Sequence, residues 1–376
     1  VALAGLLELQ REIYNAALEE RRGVWRWERR SVSYEEQCRT LTALRTVDPV
    51  VAAAGVSLCR GTLVRLDWAF EAFFERCKQG QKPGYPRFKP QRRFDSLQWE
   101  YRNGWRLDTT AQRVHLHGVG GVKVRLHRPV RGVPKALTVK REGRRWWVTV
   151  RCTDVLSEPL PPTGRHVGID LGVRVLIATS DGQLLPNPAH GRRCAQRLAA
   201  AQRAVNSKQK GSKRRYRAGE RVGAAHRCIR NCRADALHQL SRQLVNDYDL
   251  IVHEDLHIEN MVRRPKPRPD GKGGHAPNGA AAKTGLNRSI HDAGWGLLLA
   301  MITYKAEEAG RCVIAVDPHN TSRTCAHCGH VAAGNRRDTK FRCQACGYEA
   351  HADTNAAINI LRAGRAPQHA TAKGQT

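Results

Sequence analysis

Two Cys-x-x-Cys-Gly pairs near the end of the chain limit its folding more than any other feature. Cys325 and Cys328 precede Gly329, and Cys343 and Cys346 precede Gly347, in a Cys-x2-Cys-x14-Cys-x2-Cys arrangement. Four thiolates at this spacing, each pair closed by a glycine that eases a tight knuckle, form a closed tetrahedral structural Zn2+ site. Such a zinc has no open position for substrate, so it organises structure and does no chemistry. The chain has 12 cysteines, and the other eight are scattered. In a reducing cytosol these are ordinary small apolar residues; Cys228 and Cys232 face no second pair and read as helix positions. His327 and His330 read as surface residues.

The charge balance names the class of partner. Sixty-four Lys and Arg stand against 34 Asp and Glu, a formal net charge of +30, which favours a large polyanion, nucleic acid, over a small ligand. The imbalance concentrates between Gly191 and Arg233, where Glu220 is the only acid. A solvated face would mix both signs, so Arg192, Arg193, Lys208, Lys210, Lys213, Arg214 and Arg215 read as contacts to a phosphate backbone. Around the cysteines, Arg323, Arg336, Arg337, Lys340 and Arg342 extend that expectation. No run of about 18 apolar residues exists for a membrane span. Val1 to Leu9 is interrupted by Glu8 and lacks the basic flank and cleavage site of a signal peptide. A cytoplasmic, nucleoid-associated protein without membrane contact is expected.

The coarse pattern is mixed. Leu6, Leu9, Ile13 and Ala17 have helical spacing, and a second helix carries Val64, Trp68, Phe70 and Phe74, whose aromatics read as core. From Gln81 the texture turns to Gly, Pro and basic residues and then to alternation. Val114 and Leu116 face Val122, Val124 and Leu126 across Gly120-Gly121, and Leu137 and Val139 face Trp146, Val148 and Val150 across Glu142-Gly143, as in hairpins. Pro159 to Pro162 read as a linker. Apolar strands follow at His166 to Asp170, Val173 to Thr179, Asp249 to Glu254 and Cys312 to Asp317. Arg263 to Lys283 reads as a mobile polar loop, and Asp292 to Ala309 as one helix ending at Gly310.

Two of these strands carry acids that a solvated loop does not explain: Asp170 in Val167-Gly168-Ile169-Asp170-Leu171-Gly172, and Glu254 in Leu250-Ile251-Val252-His253-Glu254. A third, Asp353, opens a segment with the Ala and Ile spacing of a helix packed on a sheet. A buried carboxylate costs several kcal/mol unless it is paired or holds a cation. Two-metal phosphodiester cleavage needs several acids converging on ions about 3.5 to 4 Å apart, and hard Mg2+ or Mn2+ prefers oxygen ligands. Turn capping by Asp170 and N-capping by Asp353 are the bland alternatives; on so basic a chain, a metal-dependent nuclease site at Asp170, Glu254 and Asp353 is the expectation.

The ordered set resembles the TnpB family of transposon-encoded, RNA-guided DNA endonucleases, relatives of the type V CRISPR effectors. It comprises the Gly-Ile-Asp strand, Val252-His253-Glu254-Asp255-Leu256, Ser289-Ile290-His291-Asp292-Ala293-Gly294-Trp295, Thr321-Ser322-Arg323-Thr324-Cys325, the second Cys pair, and Asp353-x-Asn355-Ala356-Ala357-x-Asn359-Ile360. Tyr14-Asn15-Ala16-Ala17-Leu18 adds a weaker match. Family members open with a short basic and aromatic strand before the first helix, whereas Val1 here already stands at that helix.

The resemblance implies an α+β multidomain protein: a helical recognition domain at 1–80, a WED-like β-barrel at 81–163, and a split ribonuclease H-like RuvC core. The core's first part would span 164–319, with a basic helical region at 191–248, and its last part 350–362. The zinc ribbon would be inserted at 320–349, and residues 363–376 would form a disordered tail. It further implies a guide RNA of the omega type as cofactor and partner, and target double-stranded DNA read by base pairing beside a short flanking motif. Two alternatives are a guided DNA-binding regulator without cleavage and a guide-free RuvC-like nuclease or transposition factor.

Overall fold

A computed structural model describes residues 2–100, 103–271 and 273–366. The chain divides into two compact units, one ending at Leu156 and the other beginning at Ser157, just before the expected Pro159 to Pro162 linker.

Among the described residues, the first unit opens with helices α1 (Ala2–Glu28), α2 (Tyr34–Val47), α3 (Pro49–Ala54) and α4 (Val56–Lys78). Breakers separate them: Ser33 and Glu36 form a reciprocal capping box at α2, and the Asp48 side chain caps α3, satisfying amides that a helix start leaves orphaned. The buried stripe of α1 is Leu7, Gln10, Tyr14, Ala17, Leu18 and Arg21. It lies beside the expected one, and Leu6, Leu9 and Ile13 pack at its edge. On α4, Phe70 is buried, but Trp68 is 44% and Phe74 55% exposed, so the core reading of those two is corrected. They sit on the flank of a helix whose packed face is Leu58, Leu63, Leu66 and Phe70.

Six strands follow: β1 (Ser96–Trp99), β2 (Trp105–Asp108), β3 (Arg113–Leu116), β4 (Gly120–Lys123), β5 (Val133–Glu142) and β6 (Arg145–Thr153). They form two three-stranded antiparallel sheets, ordered β1-β5-β6 and β2-β3-β4. The β5–β6 hairpin forms with Leu137 opposite Val150 and Val139 opposite Val148, but its turn is Gly143-Arg144, one residue beyond the expected Glu142-Gly143, because Glu142 pairs with Arg145. The β3–β4 turn does not fall at Gly120-Gly121. Leu116 pairs with Gly120, so the connection is His117-Gly118-Val119 and both expected turn glycines lie in β4. Gly118 takes the left-handed conformation (φ 74°) the tight turn requires. One apolar core joins the helices to both sheets through Tyr14, Leu18, Leu58, Leu66, Leu97, Trp99, Val114 and Leu137. The expected boundary at residue 80 therefore falls inside a single packed body.

The second unit is built on a five-stranded sheet. Its strands are β7 (His166–Leu171), β8 (Val175–Thr179), β9 (Leu184–Pro186), β10 (Leu250–Glu254) and β11 (Cys312–Val316), in the spatial order β11-β10-β7-β8-β9. β7, β8 and β9 run antiparallel, whereas β10 and β11 lie parallel to β7. Between β9 and β10 come α5 (His190–Arg193), α6 (Ala195–Asn206) and α7 (Lys213–Asp247); at 1.5 Å per residue α7 is about 50 Å long. After β10 come α8 (Ile258–Met261), α9 (Ala280–Ala293) and α10 (Trp295–Glu308). The single helix expected from Asp292 is thus two, broken at Gly294 (φ 71°), and the polar loop ends where α9 begins at Ala280.

Strands β12 (Arg336–Arg337), β13 (Lys340–Arg342) and β14 (Glu349–His351) make a small antiparallel sheet around the cysteines, and α11 (Ala352–Arg365) closes the unit. Residues 363–365, assigned above to a tail, are the last of α11, and 367–376 lie outside the described residues. No helix among the described residues is long and apolar enough to cross a membrane.

The sheet has helices on both faces. Val167, Ile169 and Leu171 pack with Leu237, Leu244, Leu298 and Ile302 from α7 and α10. The alternate residues face α11, and that contact is unusually close. A Cβ on Gly168 would stand 2.1 Å from the Ala357 carbonyl and 2.6 Å from the Leu361 nitrogen. Only glycine admits the helix at that distance.

Candidate acid cluster and cysteine site

The acids assemble from strand parity. Asp170 lies two residues beyond Gly168, hence on the same face, toward α11. His253 pairs with Ile169, so the next residue, Glu254, lies beside Asp170 and points the same way. Because α11 lies over Gly168, its first turn, carrying Asp353, reaches the strand ends where those two acids stand. His351 occupies the N-cap of α11, so Asp353 is inside the helix and the capping alternative does not hold.

The electrostatics record this convergence. The Asp170 carboxyl is pushed up to about 7, mainly by burial and then by Glu254 and Asp353; Arg336 and the Leu171 amide oppose the rise. Burial also raises Glu254, against a hydrogen bond from Thr321 and the charges of Arg336 and His253. Thr321 Oγ1 donates to Glu254 Oε1 at 2.6 Å, and Arg336 Nη2 donates to Asp353 Oδ1 at 2.7 Å. Among the described residues, only the cysteine site brings three or more candidate ligand atoms within 4.8 Å of one another. The three carboxylates are neighbours at a wider spacing, with Asp353 drawn onto Arg336. All-oxygen donors with surplus negative charge suit a hard divalent cation.

The four Sγ atoms of Cys325, Cys328, Cys343 and Cys346 gather within 4.8 Å. Cys325 lies 3.7 Å from Cys346, and Cys328 3.6 Å from Cys343. A tetrahedron with zinc–sulfur bonds of 2.3 Å has edges of about 3.8 Å, so the site fits Zn2+. Gly329 and Gly347, at φ 78° and 73°, donate to the carbonyls of Cys325 and Cys343 and close the knuckles. The Cys346 and Ala345 amides point at the Cys343 thiol and lower it, while the neighbouring thiols raise Cys346, as expected of crowded sulfurs that share their protons.

Residues that the sequence reading left without a role join these sites. Asn355, fully buried, accepts from the Ala326 amide at 2.9 Å and donates to the Thr324 carbonyl at 2.8 Å. Asn359 donates to the carbonyls of Thr321 and Thr324 at 2.9 and 2.7 Å. Together they clamp the first knuckle to α11, one turn after Asp353. Both stood inside the Asp-x-Asn-Ala-Ala-x-Asn-Ile pattern, and two buried-face amides in a helix were the available signal. Asp292 accepts from the Gly191 and Arg192 amides and from Arg233 at 2.8, 3.1 and 2.7 Å, making it a strut between α9, α5 and α7.

The basic residues divide. Arg192, Arg193, Lys208, Lys210, Lys213, Arg214, Arg323 and Arg337 are exposed. Arg215 is half-buried and donates to the carbonyls of Val205 and Lys208, capping the end of α6. Arg336, grouped above with the phosphate contacts, is committed to Asp353.

A family model described as "Probable transposase" matches residues 140–264, and a "Cas12f1-like, TNB domain" model matches residues 295–360. The chain is 35% identical over 306 residues to "Putative RNA-guided DNA endonuclease InsQ" of Escherichia coli K12, covering 81% of this chain and 73% of that protein. It is 33% identical over 369 residues to a "Putative RNA-guided DNA endonuclease" of Streptomyces pristinaespiralis, covering 95% and 84%. Over 60 residues it is 58% identical to "CRISPR-associated endodeoxyribonuclease Cas12f1" of Sulfoacidibacillus thermotolerans, 16% of this chain and 14% of that one.

Proposed function

Because the chain belongs to the TnpB family, we propose that it is an RNA-guided DNA endonuclease whose catalytic acids are Asp170, Glu254 and Asp353. The observation that carries the assignment is geometric: Asp170 and Glu254 stand side by side on adjacent strands, and Asp353 in the first turn of α11 is brought to them by the seat of that helix on Gly168. Residues 170, 254 and 353 come from three distant segments, and packing alone gives no reason to crowd their charges on one buried face. The sheet supports a ribonuclease H-like core: three antiparallel strands followed by two parallel ones, with the first strand at the centre.

On this reading Asp170 and Glu254, fixed on adjacent strands, and Asp353, at the start of α11, hold Mg2+ or Mn2+. Bound there, two such ions supply an activated water and stabilise the leaving oxygen of a phosphodiester. Thr321 orients Glu254. The four cysteines hold structural Zn2+, and the clamp of Asn355 and Asn359 keeps the ribbon beside the acids. The exposed basic residues of α5, the α6–α7 connection, α7 and the ribbon neutralise phosphates. The names of the relatives say that they are RNA-guided DNA endonucleases; on this reading the first unit would bind the guide RNA and recognise target DNA beside a short flanking motif.

The test is guided cleavage. Protein copurified with its RNA should cut double-stranded DNA matching that RNA in Mg2+, and should cut neither mismatched DNA nor any DNA in chelator. Cutting of random DNA after RNA removal would favour a guide-free nuclease. Tight matched binding without cutting would favour a regulator.

A further inference from the structure

One cation is bonded to the acid cluster. Arg336 begins β12, where it pairs with the buried Phe341 of β13, so its backbone is fixed in the ribbon. Its Nη2 donates to Asp353 Oδ1 at 2.7 Å and its Nε to the Asp338 carbonyl at 3.3 Å. Its charge also opposes the upward shifts of Asp170 and Glu254. His253 acts on Glu254 alone, and Thr321 is neutral.

We infer that Arg336 is a counter-ion lent by the zinc ribbon to the acid cluster, and that a divalent cation entering the cluster must displace its guanidinium from Asp353. This rests on reading the three acids as a cation site. Mg2+ takes carboxylate oxygens at about 2.1 Å, so a guanidinium kept on the same carboxylate would stand within a few ångströms of a doubly charged ion. At that range like charges repel strongly in a partly buried site. Arg336 is therefore a positioning residue that competes with the ion, holding the acids in register until the ion arrives. The sign of its effect separates this role from that of a preorganising ligand support, whose loss would weaken the ion.

The experiment is a Mn2+ titration of the full chain, followed by electron paramagnetic resonance of the free ion, with zinc content checked to be unchanged. Arg336→Gln should bind Mn2+ roughly tenfold more tightly than wild type, the scale of one charge-assisted contact. Arg336→Lys, which keeps the charge on a more mobile stem, should fall between the two. Without Mn2+, Arg336→Gln should melt below wild type, and saturating Mn2+ should narrow or reverse that order. Unchanged or weaker Mn2+ binding by Arg336→Gln, with Asp170→Asn binding poorly, would overturn the inference while leaving the acid site standing. Equal binding by wild type and Asp170→Asn would remove the acid site, and the inference with it.

Discussion

At the scale of single residues, the fold charges Asp170 a penalty that only its partners relieve. Its carboxyl titrates near 7 in the folded chain against about 3.9 unfolded. The folded state therefore favours the protonated form. That favourable contribution is complete below about pH 4 and is lost as pH rises through 7. In chelator at pH 8, Asp170→Asn, which cannot ionise, should melt several degrees above wild type, a gap that should shrink to roughly a third at pH 5 and close below about pH 4. Thermal melts at the two pH values check this; a wild type more stable than the variant at pH 8 without metal would contradict it. Mg2+ should reverse the order by stabilising only the ionised cluster. A second residue prediction concerns Asn355. Replacing it with Ala strands the buried Ala326 amide, while the Thr324 carbonyl keeps its bond from Asn359, at a cost of about 1–3 kcal/mol. Faster zinc loss to a chelator should accompany a lower melting temperature; zinc retention at the wild-type rate would show that the clamp is dispensable.

At the scale of elements, the close seat of α11 on β7 brings the acids together, and Gly168 permits it. Gly168→Ala should lower stability by roughly 1–3 kcal/mol, as overpacking does, and should depress cleavage further by lifting Asp353 off the strand ends. Gly219 offers the opposite control: it lies within α7 with open space around it, so Gly219→Ala should be neutral or stabilise by up to about 1 kcal/mol. Denaturant melts with paired cleavage assays read both. Comparable effects of the two substitutions would contradict the account of α11. Much of this level was legible beforehand. The runs Val167 to Asp170 and Leu250 to Glu254 are too apolar to be anything but interior strands, and Cys-x-x-Cys-Gly announces its own geometry. What escaped was tertiary. Gly120-Gly121 has the local signature of a turn, yet the chain reverses at His117-Gly118-Val119, with Gly118 and Gly120 both at positive φ, and the pair falls in a strand. Apolar periodicity runs through Gly294 unbroken, hiding the helix break there. The exposure of Trp68 and Phe74 depends on what packs beside α4, which no local pattern encodes.

At the scale of the molecule, the zinc ribbon and the acid cluster of the second unit are one device, because Thr321 and Arg336 reach from the ribbon to Glu254 and Asp353. Cys343→Ser should lose zinc and, with it, guided cleavage even in excess Mg2+, since Glu254 loses Thr321 and the start of α11, which carries Asp353, loses the knuckle that Asn355 and Asn359 hold. Metal analysis alongside the cleavage assay checks this; full activity in a zinc-free protein would separate ribbon from site. The net charge of +30 predicts RNA retention that weakens steeply with salt. The most direct test of the central claim is to replace Asp170, Glu254 and Asp353 with alanine one at a time, in protein shown to keep its zinc and bind its RNA, and to measure cutting of matched DNA in Mg2+. Each of the three variants should lose cutting by at least about a thousandfold, on the scale of removing a member of an interdependent catalytic set; near-normal cutting by any one of them would contradict the shared site.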